Sequence, residues 1–277
     1  MTAGSPGVFP WGPALLFCPA DRPDRYAKAM ERADAVILDL EDAVEPARRA
    51  AAREAIAASD LDPARVIVRV NRSGSDDQAA DLAALALTPY SAVMLPKAER
   101  VSDLPALSGL DVIALCETAA GVRAAGELAA ADGVVALMWG AEDLVASLGG
   151  TSSRRADGRY RDVALHARSE VLLAAGAAGT WAIDTVHLDI GDLAGLAAEA
   201  EDAVAVGFAA SACIHPSQVE TVRRAYLPDD EQVQEAVELL AAAEAAGGGV
   251  FRHRGRMVDG PVIAHARAVL RRATGTP

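Results

Sequence analysis

The feature that most constrains the fold of this chain is an alternation of short apolar runs with longer, alanine-rich amphipathic stretches. The runs are rich in Val, Ile and Leu and lack polar alternation, which is typical of parallel strands whose two faces are both covered. We therefore predict eight parallel strands, at residues 14–18, 35–40, 65–70, 92–95, 112–116, 134–139, 181–186 and 210–214.

The stretches between these runs have the length and periodicity of helices. They predict helices at residues 24–33, 46–58, 76–85, 119–130, 162–175, 193–206 and 217–225. Eight strand–helix units in about 225 residues predict an α/β fold, the TIM (β/α)8 barrel, with functional residues after the carboxyl ends of the strands. A doubly wound sheet is the alternative, but no G-x-G-x-x-G follows the first strand and no G-x-x-x-x-G-K-[ST] occurs.

Two segments fall outside this repeat and set the domain boundaries that we expect. Residues 149–161 are polar and rich in Gly and Arg, which predicts a surface insertion within a barrel domain of residues 1–228. Residues 229–277 are expected to form a C-terminal helical extension, with one helix at 231–246 and another from Pro261. Three glycines at 247–249 stand between them, and they are consistent either with a lid that moves or with a simple connector.

The charge balance excludes one class of function. Lys and Arg number 26 and Asp and Glu number 39, so the net charge is −13, and an acidic chain without a basic arm is not a general nucleic-acid binder. An anionic ligand must therefore be met by a local group of arginines.

Sequence signals for membranes, secretion and metal-binding cysteines are absent. No apolar stretch is long enough to cross a membrane, and residues 1–13 lack the features of a signal peptide. The three cysteines do not have the spacing of a metal site. We therefore expect a cytoplasmic protein without membrane contacts.

Carboxylates follow three of the predicted strands. Glu41 and Asp42 follow the second strand, Glu117 the fifth and Asp143 the sixth. Like charges at one barrel mouth repel unless a cation neutralises them, and oxygen ligands without His or Cys favour Mg²⁺, with Mn²⁺ as the alternative. Glu117 and Asp143 are the predicted metal ligands. For Asp39, Glu41 and Asp42 two roles stay open: they form ion pairs and hold water, or they act in catalysis. The alternative for Asp143 is a place in the first turn of a helix, where the helix dipole favours a carboxylate.

Cationic side chains also occur at the predicted strand ends. Arg69 lies in an apolar strand end, so it must meet a carboxylate, which is either the protein's own or that of a substrate. Lys97 could form a Schiff base, but the neighbouring carboxylates favour an ion pair that supports the site. His215 is either an acid–base residue or a hydrogen-bonded structural residue. The arginines of the insertion are either solvated or able to hold an anionic substrate tail.

Short segments, in order along the chain, resemble those of a known family. They are LFCPADRPDRYAKA, VILDLEDAV, VIVRVN, VMLPKAE, IALCETAAGV, LMWGAEDLVASLGG and CIHPSQV, between residues 16 and 219, followed by GRMVDGP at 255–261. As a set they resemble the HpcH/HpaI aldolase and citrate lyase β-subunit superfamily over nearly the whole chain. The closest likeness is to the stand-alone citrate lyase β-like (CitE-like) proteins of actinobacteria.

This resemblance implies roles for individual residues of a Mg²⁺-dependent TIM-barrel enzyme. Arg69 and Glu117 would bind substrate, and Arg69 would also act in catalysis by holding the enolate oxygen. Glu117 and Asp143 would bind magnesium. Asp259 would act as an acid or base, in its own active site or in that of a neighbouring copy of a homotrimer.

The resemblance also implies an activity. The chain would be a carbon–carbon lyase of the retro-Claisen type that cleaves a short 3-hydroxyacyl-CoA, such as citramalyl-, malyl- or hydroxymethylglutaryl-CoA, to acetyl-CoA and a keto acid. The alternatives are the reverse condensation, as in a malate or citramalate synthase, hydrolysis of the thioester at the same site, and a role as one subunit of a citrate lyase complex.

Overall fold

A computed structural model describes residues 9–247 and 249–274 of the chain, and it contains a closed barrel of eight parallel strands. The strands pair in chain order, and the last pairs with the first. They are β1 (Ala14–Pro19), β2 (Ala35–Asp39), β3 (Val66–Arg69), β4 (Ala92–Leu95), β5 (Asp111–Cys116), β6 (Val134–Trp139), β7 (Trp181–Asp184) and β8 (Ala210–Cys213). The predicted TIM barrel is therefore confirmed.

Helices follow the strands and cover the outside of the barrel. They are α1 (Tyr26–Arg32), α2 (Arg49–Ala57), α3 (Asp76–Leu85), α4 (Ala119–Arg123), α5 (Ala125–Ala129), α6 (Ala141–Ser147), α7 (Asp162–Ala178), α8 (Leu193–Val206) and α9 (Pro216–Tyr226). The predicted helices 24–33 and 46–58 start too early, because 3₁₀ turns at Pro23–Arg25 and Pro46–Arg48 precede α1 and α2. Proline suits the first position of such a turn, since it has no N–H to leave unpaired.

The predicted continuous helix 119–130 is wrong, because α4 and α5 are separate helices that meet at Ala124. Gly121 in α4 lies against the loop that follows β4: a Cβ there would come within 2.4 Å of the carbonyl oxygen of Ala98. Glycine also has a low helix propensity, and both Gly121 and Gly126 fall inside the predicted helix. Close packing of α4 on the barrel therefore takes precedence over one long helix.

Apolar side chains form two layers on either side of the strands. Alternate residues of the strands fill the barrel interior, including Leu15, Ile37, Ile67, Met94 and Ile113, all buried. Their neighbours along each strand pack outward against the helices, as Leu16 and Leu38 do. Continuous apolar runs serve both layers at once, which is why the runs lack polar alternation.

The chain after α9 forms a helix, a short hairpin and a second helix. These are α10 (Asp230–Ala245), β9 (Phe251–His253), β10 (Arg256–Val258) and α11 (Gly260–Thr274), and α10 packs against α11. Gly247 and Gly249 have the positive φ angles, 70° and 82°, that glycine adopts readily, and the Gly248 of the triplet lies outside the described residues, as do residues 1–8. That the chain after α9 moves as a lid stays a prediction. In the described part of the chain no helix is both long and apolar enough to cross a membrane.

Candidate active site

The site begins with a buried ion pair between the last residues of β2 and β3. Asp39 and Arg69 are directly paired in the sheet register. The Nε and NH2 atoms of Arg69 donate to the two carboxylate oxygens of Asp39, at 2.7 and 2.6 Å. Asp39 also accepts hydrogen bonds from the backbone N–H groups of Glu41 and Ala43. The carboxylate that the sequence required for Arg69 is thus the protein's own, and the guanidinium is held in one orientation.

The third nitrogen of Arg69 is directed away from Asp39. NH1 lies 3.4 Å from Oε2 of Glu41, a buried oxygen that accepts no hydrogen bond from the part of the chain that the structure describes. The other oxygen of Glu41 accepts a hydrogen bond from the Lys97 ammonium at 2.5 Å. Burial raises the pKa of Glu41, although Arg69 and Lys97 oppose this effect. One oxygen of Glu41 and one nitrogen of Arg69 therefore still have hydrogen-bonding capacity to offer at the barrel mouth.

Lys97 lies at the centre of the acidic side chains. Its ammonium nitrogen is 3.5 Å from Asp42 and 3.9 Å from both Glu117 and Asp143. The residue has a positive φ of 49°, which is uncommon outside glycine, and its backbone N–H donates to Oε1 of Glu117 at 3.0 Å. The carboxylates after β2, β5 and β6 thus converge on one cation, as their positions in the sequence predict.

Glu117 is the most perturbed of these carboxylates. It directly follows β5 and is only 2% exposed. Burial, followed by the neighbouring charge of Asp143, raises the pKa of Glu117 from 4.5 to about 8. Gly140, after β6, makes room for it, because a Cβ at Gly140 would come 2.9 Å from Cβ and 3.0 Å from Oε2 of Glu117. The structural requirement for Gly140 was not recognised from the sequence, where it appears only as one residue of a loop.

Asp143 lies in the first turn of α6, and its side chain is 44% exposed. The neighbouring acid of that turn, Glu142, is turned away and bonds to the Ser153 hydroxyl. Only Asp143 therefore faces Lys97 and Glu117.

These donors suit a hard divalent cation. Two carboxyl groups, Glu117 and Asp143, already face the same positively charged atom. Burial and Asp143 disfavour the ionised form of Glu117, which a cation would stabilise. Among the described residues, no three His, Cys, Asp or Glu side chains are grouped to hold a metal by themselves. Mg²⁺ needs no such group, since it is commonly bound by one or two carboxylates, with water and substrate oxygens as its other ligands.

Two candidate residues, His215 and Asp259, lie outside the group of acids around Lys97. His215 caps α9, where its Nδ1 accepts a hydrogen bond from the backbone N–H of Ser217, as a structural residue would. Asp259 precedes α11, and its Oδ1 accepts a hydrogen bond from the N–H of Val262. Within residues 9–247 and 249–274, no hydrogen bond or ion pair joins Asp259 to the carboxylates at the barrel mouth. Its part in catalysis stays a prediction.

A second polar network, which was not predicted from the sequence, lies at the end of β7. Asp184 is buried and accepts hydrogen bonds from the Trp139 indole, at 2.6 Å, and from Arg168. Burial raises the pKa of Asp184, although Arg168 opposes this effect. The signal that could have identified it is a single aspartate at the end of an otherwise apolar strand. The insertion arginine Arg154 pairs with Glu199 and is not simply solvated.

The chain is similar to known proteins of one family along most of its length. The family model described as HpcH/HpaI aldolase/citrate lyase matches residues 14–110 and 106–216. A citrate lyase subunit beta-like protein of Mycobacterium tuberculosis is 58% identical over 262 residues, which are 95% of this chain and 96% of that protein. The mitochondrial citramalyl-CoA lyase of Mus musculus is 31% identical over 94% of this chain and 86% of its own length.

A solved structure is similar along almost the whole fold. It is the M. tuberculosis protein CitE in complex with magnesium, acetoacetate and coenzyme A. It has 58% sequence identity to this chain and a TM-score of 0.90, and the match covers 95% of this chain and 98% of the other.

Proposed function

Because this chain belongs to the HpcH/HpaI aldolase/citrate lyase family, we propose that it is a magnesium-dependent lyase that acts on coenzyme A thioesters. Its substrate, in this proposal, is a short 3-hydroxyacyl-CoA of the citramalyl-, malyl- or hydroxymethylglutaryl-CoA type. Cleavage gives acetyl-CoA and a keto acid. The observation that carries the proposal is the convergence of Glu117 and Asp143 on one cationic position, beside an arginine whose orientation is fixed.

The proposed reaction breaks one carbon–carbon bond. A base takes the proton of the substrate hydroxyl, the electron pair of the breaking bond passes to the thioester as an enolate, and the enolate takes up a proton to give acetyl-CoA. Glu117 and Asp143 would hold magnesium, which would supply Lewis acidity for the keto-acid half. Arg69 presents NH1 toward the enolate oxygen, and its hydrogen bonds to Asp39 hold it there before substrate binds.

The experiment for the substrate is a product analysis. The purified chain is incubated with Mg²⁺ and a panel of hydroxyacyl-CoA thioesters, and the products are identified by mass spectrometry. We expect acetyl-CoA and a keto acid from one member of the panel, and no turnover in EDTA. Free CoA with an intact hydroxy acid would instead indicate hydrolysis, and cleavage that is unchanged in EDTA would contradict the metal dependence.

The proposed metal ligands are tested without substrate. Titration calorimetry with Mg²⁺ alone should show binding to the wild type and a strong loss in Glu117→Gln and Asp143→Asn. Glu142→Gln is the matched control, because Glu142 shares the first turn of α6 with Asp143 but bonds to Ser153. Equal losses in Asp143→Asn and Glu142→Gln would indicate that the dipole of α6, and not a metal ligand, explains the effect.

We further propose that Asp259 serves as an acid or base at the site of a neighbouring copy in a homotrimer. Its carboxylate caps α11 in its own chain and has no contact there with the barrel-mouth acids of the described residues. Mixed oligomers test this: Asp259→Ala and Glu117→Gln, each inactive alone, should recover activity when dissociated and reassembled together. Mixtures that stay inactive, although light scattering shows trimers, would contradict the shared site.

A further inference from the structure

A cavity of about 730 Å³ lies at the end of the barrel opposite the carboxylates. Its floor is formed where β1, β7 and β8 begin, at Pro13, Trp181 and Ala209. The last turns of α11 lie across it, through Ala268 and Arg272 among others. The proposed lyase site is at the other end of the parallel strands, so the reaction described above makes no use of this cavity.

The body of the cavity is apolar. Phe9, Trp181 and Phe208 line it, and the rings of Phe9 and Trp181 meet edge to face with their centroids 5.6 Å apart. Leu172 of α7 and Val204 of α8 extend this wall. Ligand sites in proteins commonly have such walls and volumes of about 300 to 1,000 Å³.

The side chains that line the cavity include more basic than acidic groups, whereas the chain as a whole is acidic. Four arginines face two acids there, although the whole chain carries a net charge of −13. Of the two acids, Asp34 accepts hydrogen bonds from Nε and NH2 of Arg223, at 2.9 and 2.7 Å. Glu220 lies 3.6 Å from Arg224, in an exposed pair. Arg272, contributed by α11, adds a further positive charge beside these two pairs.

Arg272 shows that this charge is incompletely satisfied. Its Nε is buried, and no group of residues 9–247 and 249–274 accepts a hydrogen bond from it. Burial, and then the neighbouring charge of Arg271, lower the pKa of Arg272. The dipole of α11 explains why basic residues suit its last turn, but it does not explain a buried donor without an acceptor, which costs free energy.

We propose that this cavity binds an amphipathic anion, a medium-chain fatty carboxylate, with its head group on Arg272 and its tail between Phe9 and Trp181. The carboxylate supplies the acceptor that Arg272 lacks, and the alkyl chain fills the apolar wall. Because the lining comes from both the barrel and α11, the ligand also fastens the C-terminal segment to the base of the barrel.

Binding is measured by calorimetry with dodecanoate below its micelle concentration, and by the change in tryptophan fluorescence, to which Trp181 in the cavity wall contributes. We expect saturable binding of dodecanoate. Dodecyltrimethylammonium, which has the same tail and the opposite charge, and acetate, which lacks the tail, should not bind. Equal binding of both dodecyl compounds would overturn the proposal, because it would leave no role for the arginines.

Two variants locate the site. Arg272→Met should weaken dodecanoate binding at least about tenfold, the loss expected for a hydrogen bond to a charged group. Arg32→Met is the matched control, since Arg32 is also a basic residue in the last turn of a helix but is exposed on α1. Gly176→Trp should block the cavity, because Gly176 lines it and a Cβ there meets no atom within 4 Å; circular dichroism checks that the variant is folded. Dodecanoate binding that survives in both Arg272→Met and Gly176→Trp would place the ligand elsewhere and refute the assignment.

Discussion

Replacing Glu117 by glutamine should stabilise the metal-free protein at alkaline pH. The substitution keeps the size of the side chain and removes the carboxylate whose ionisation burial and Asp143 oppose. In the folded chain the pKa of Glu117 is raised from 4.5 to about 8. This difference of about 3.5 pKa units corresponds to about 5 kcal/mol, an upper limit because local relaxation absorbs part of it.

The direction of the pH effect follows from the raised pKa. Below pH 4.5 Glu117 is protonated in both the folded and the unfolded chain, so its contribution to stability is fully present. Between pH 4.5 and about 8 the unfolded chain loses this proton while the folded chain keeps it, and the free energy of unfolding falls. Above about pH 8 the loss is complete. The glutamine variant has no such loss and should exceed the wild type there by about 2 to 5 kcal/mol.

The measurement is urea unfolding in EDTA at a series of pH values from about 5 to about 8.5. The wild type and Glu117→Gln should be close at the acid end and diverge as the pH rises. Glu127→Gln is the control, because Glu127 is exposed on α5 and its variant should follow the wild type at every pH. Parallel curves for the wild type and Glu117→Gln would refute the assignment of the raised pKa to this residue.

Three further outcomes are expected. Mg²⁺ added at pH 7 should release close to one proton per site from Glu117, which calorimetry in buffers of different ionisation enthalpy measures. If no proton is released, metal binding by this carboxylate is contradicted. Gly140→Ala should lower kcat about 100-fold by displacing Glu117, whereas Gly126→Ala, whose Cβ meets nothing, should not; equal rates would refute the packing argument. Borohydride with a keto acid should give no adduct on Lys97 in peptide mass spectra, because ion pairing with Glu41 keeps its ammonium protonated; an adduct would restore the Schiff-base alternative.

The sequence was sufficient to predict the barrel because each strand is a continuous apolar run. The predicted strands 92–95 and 134–139 match β4 and β6 at both ends. Elsewhere a predicted strand is too long, as at 181–186, where β7 ends at Asp184. The residues beyond Asp184 continue the apolar pattern because they still pack at the barrel rim, so hydrophobicity alone does not mark the last residue in the ladder.

For the site, the sequence was sufficient where the strand that a residue follows decides where its side chain lies. The carboxylates of β2, β5 and β6 had to meet at one mouth because parallel strands of a barrel end on the same side. The partner of Arg69 was left open between the protein and a substrate, since only the register shows that Asp39 lies beside it. Gly140 and the cavity beneath the barrel depend on distances between remote segments, which no local pattern contains.

The position of Lys97 has a consequence for handling the protein. A single side chain connects the ends of four strands, because Lys97 follows β4 and contacts acids that follow β2, β5 and β6. Its ammonium supplies a positive charge among these acids, so their mutual repulsion is partly neutralised when no metal is bound. Removing magnesium with a chelator should therefore leave a folded apo-protein, ready to take up metal again without refolding.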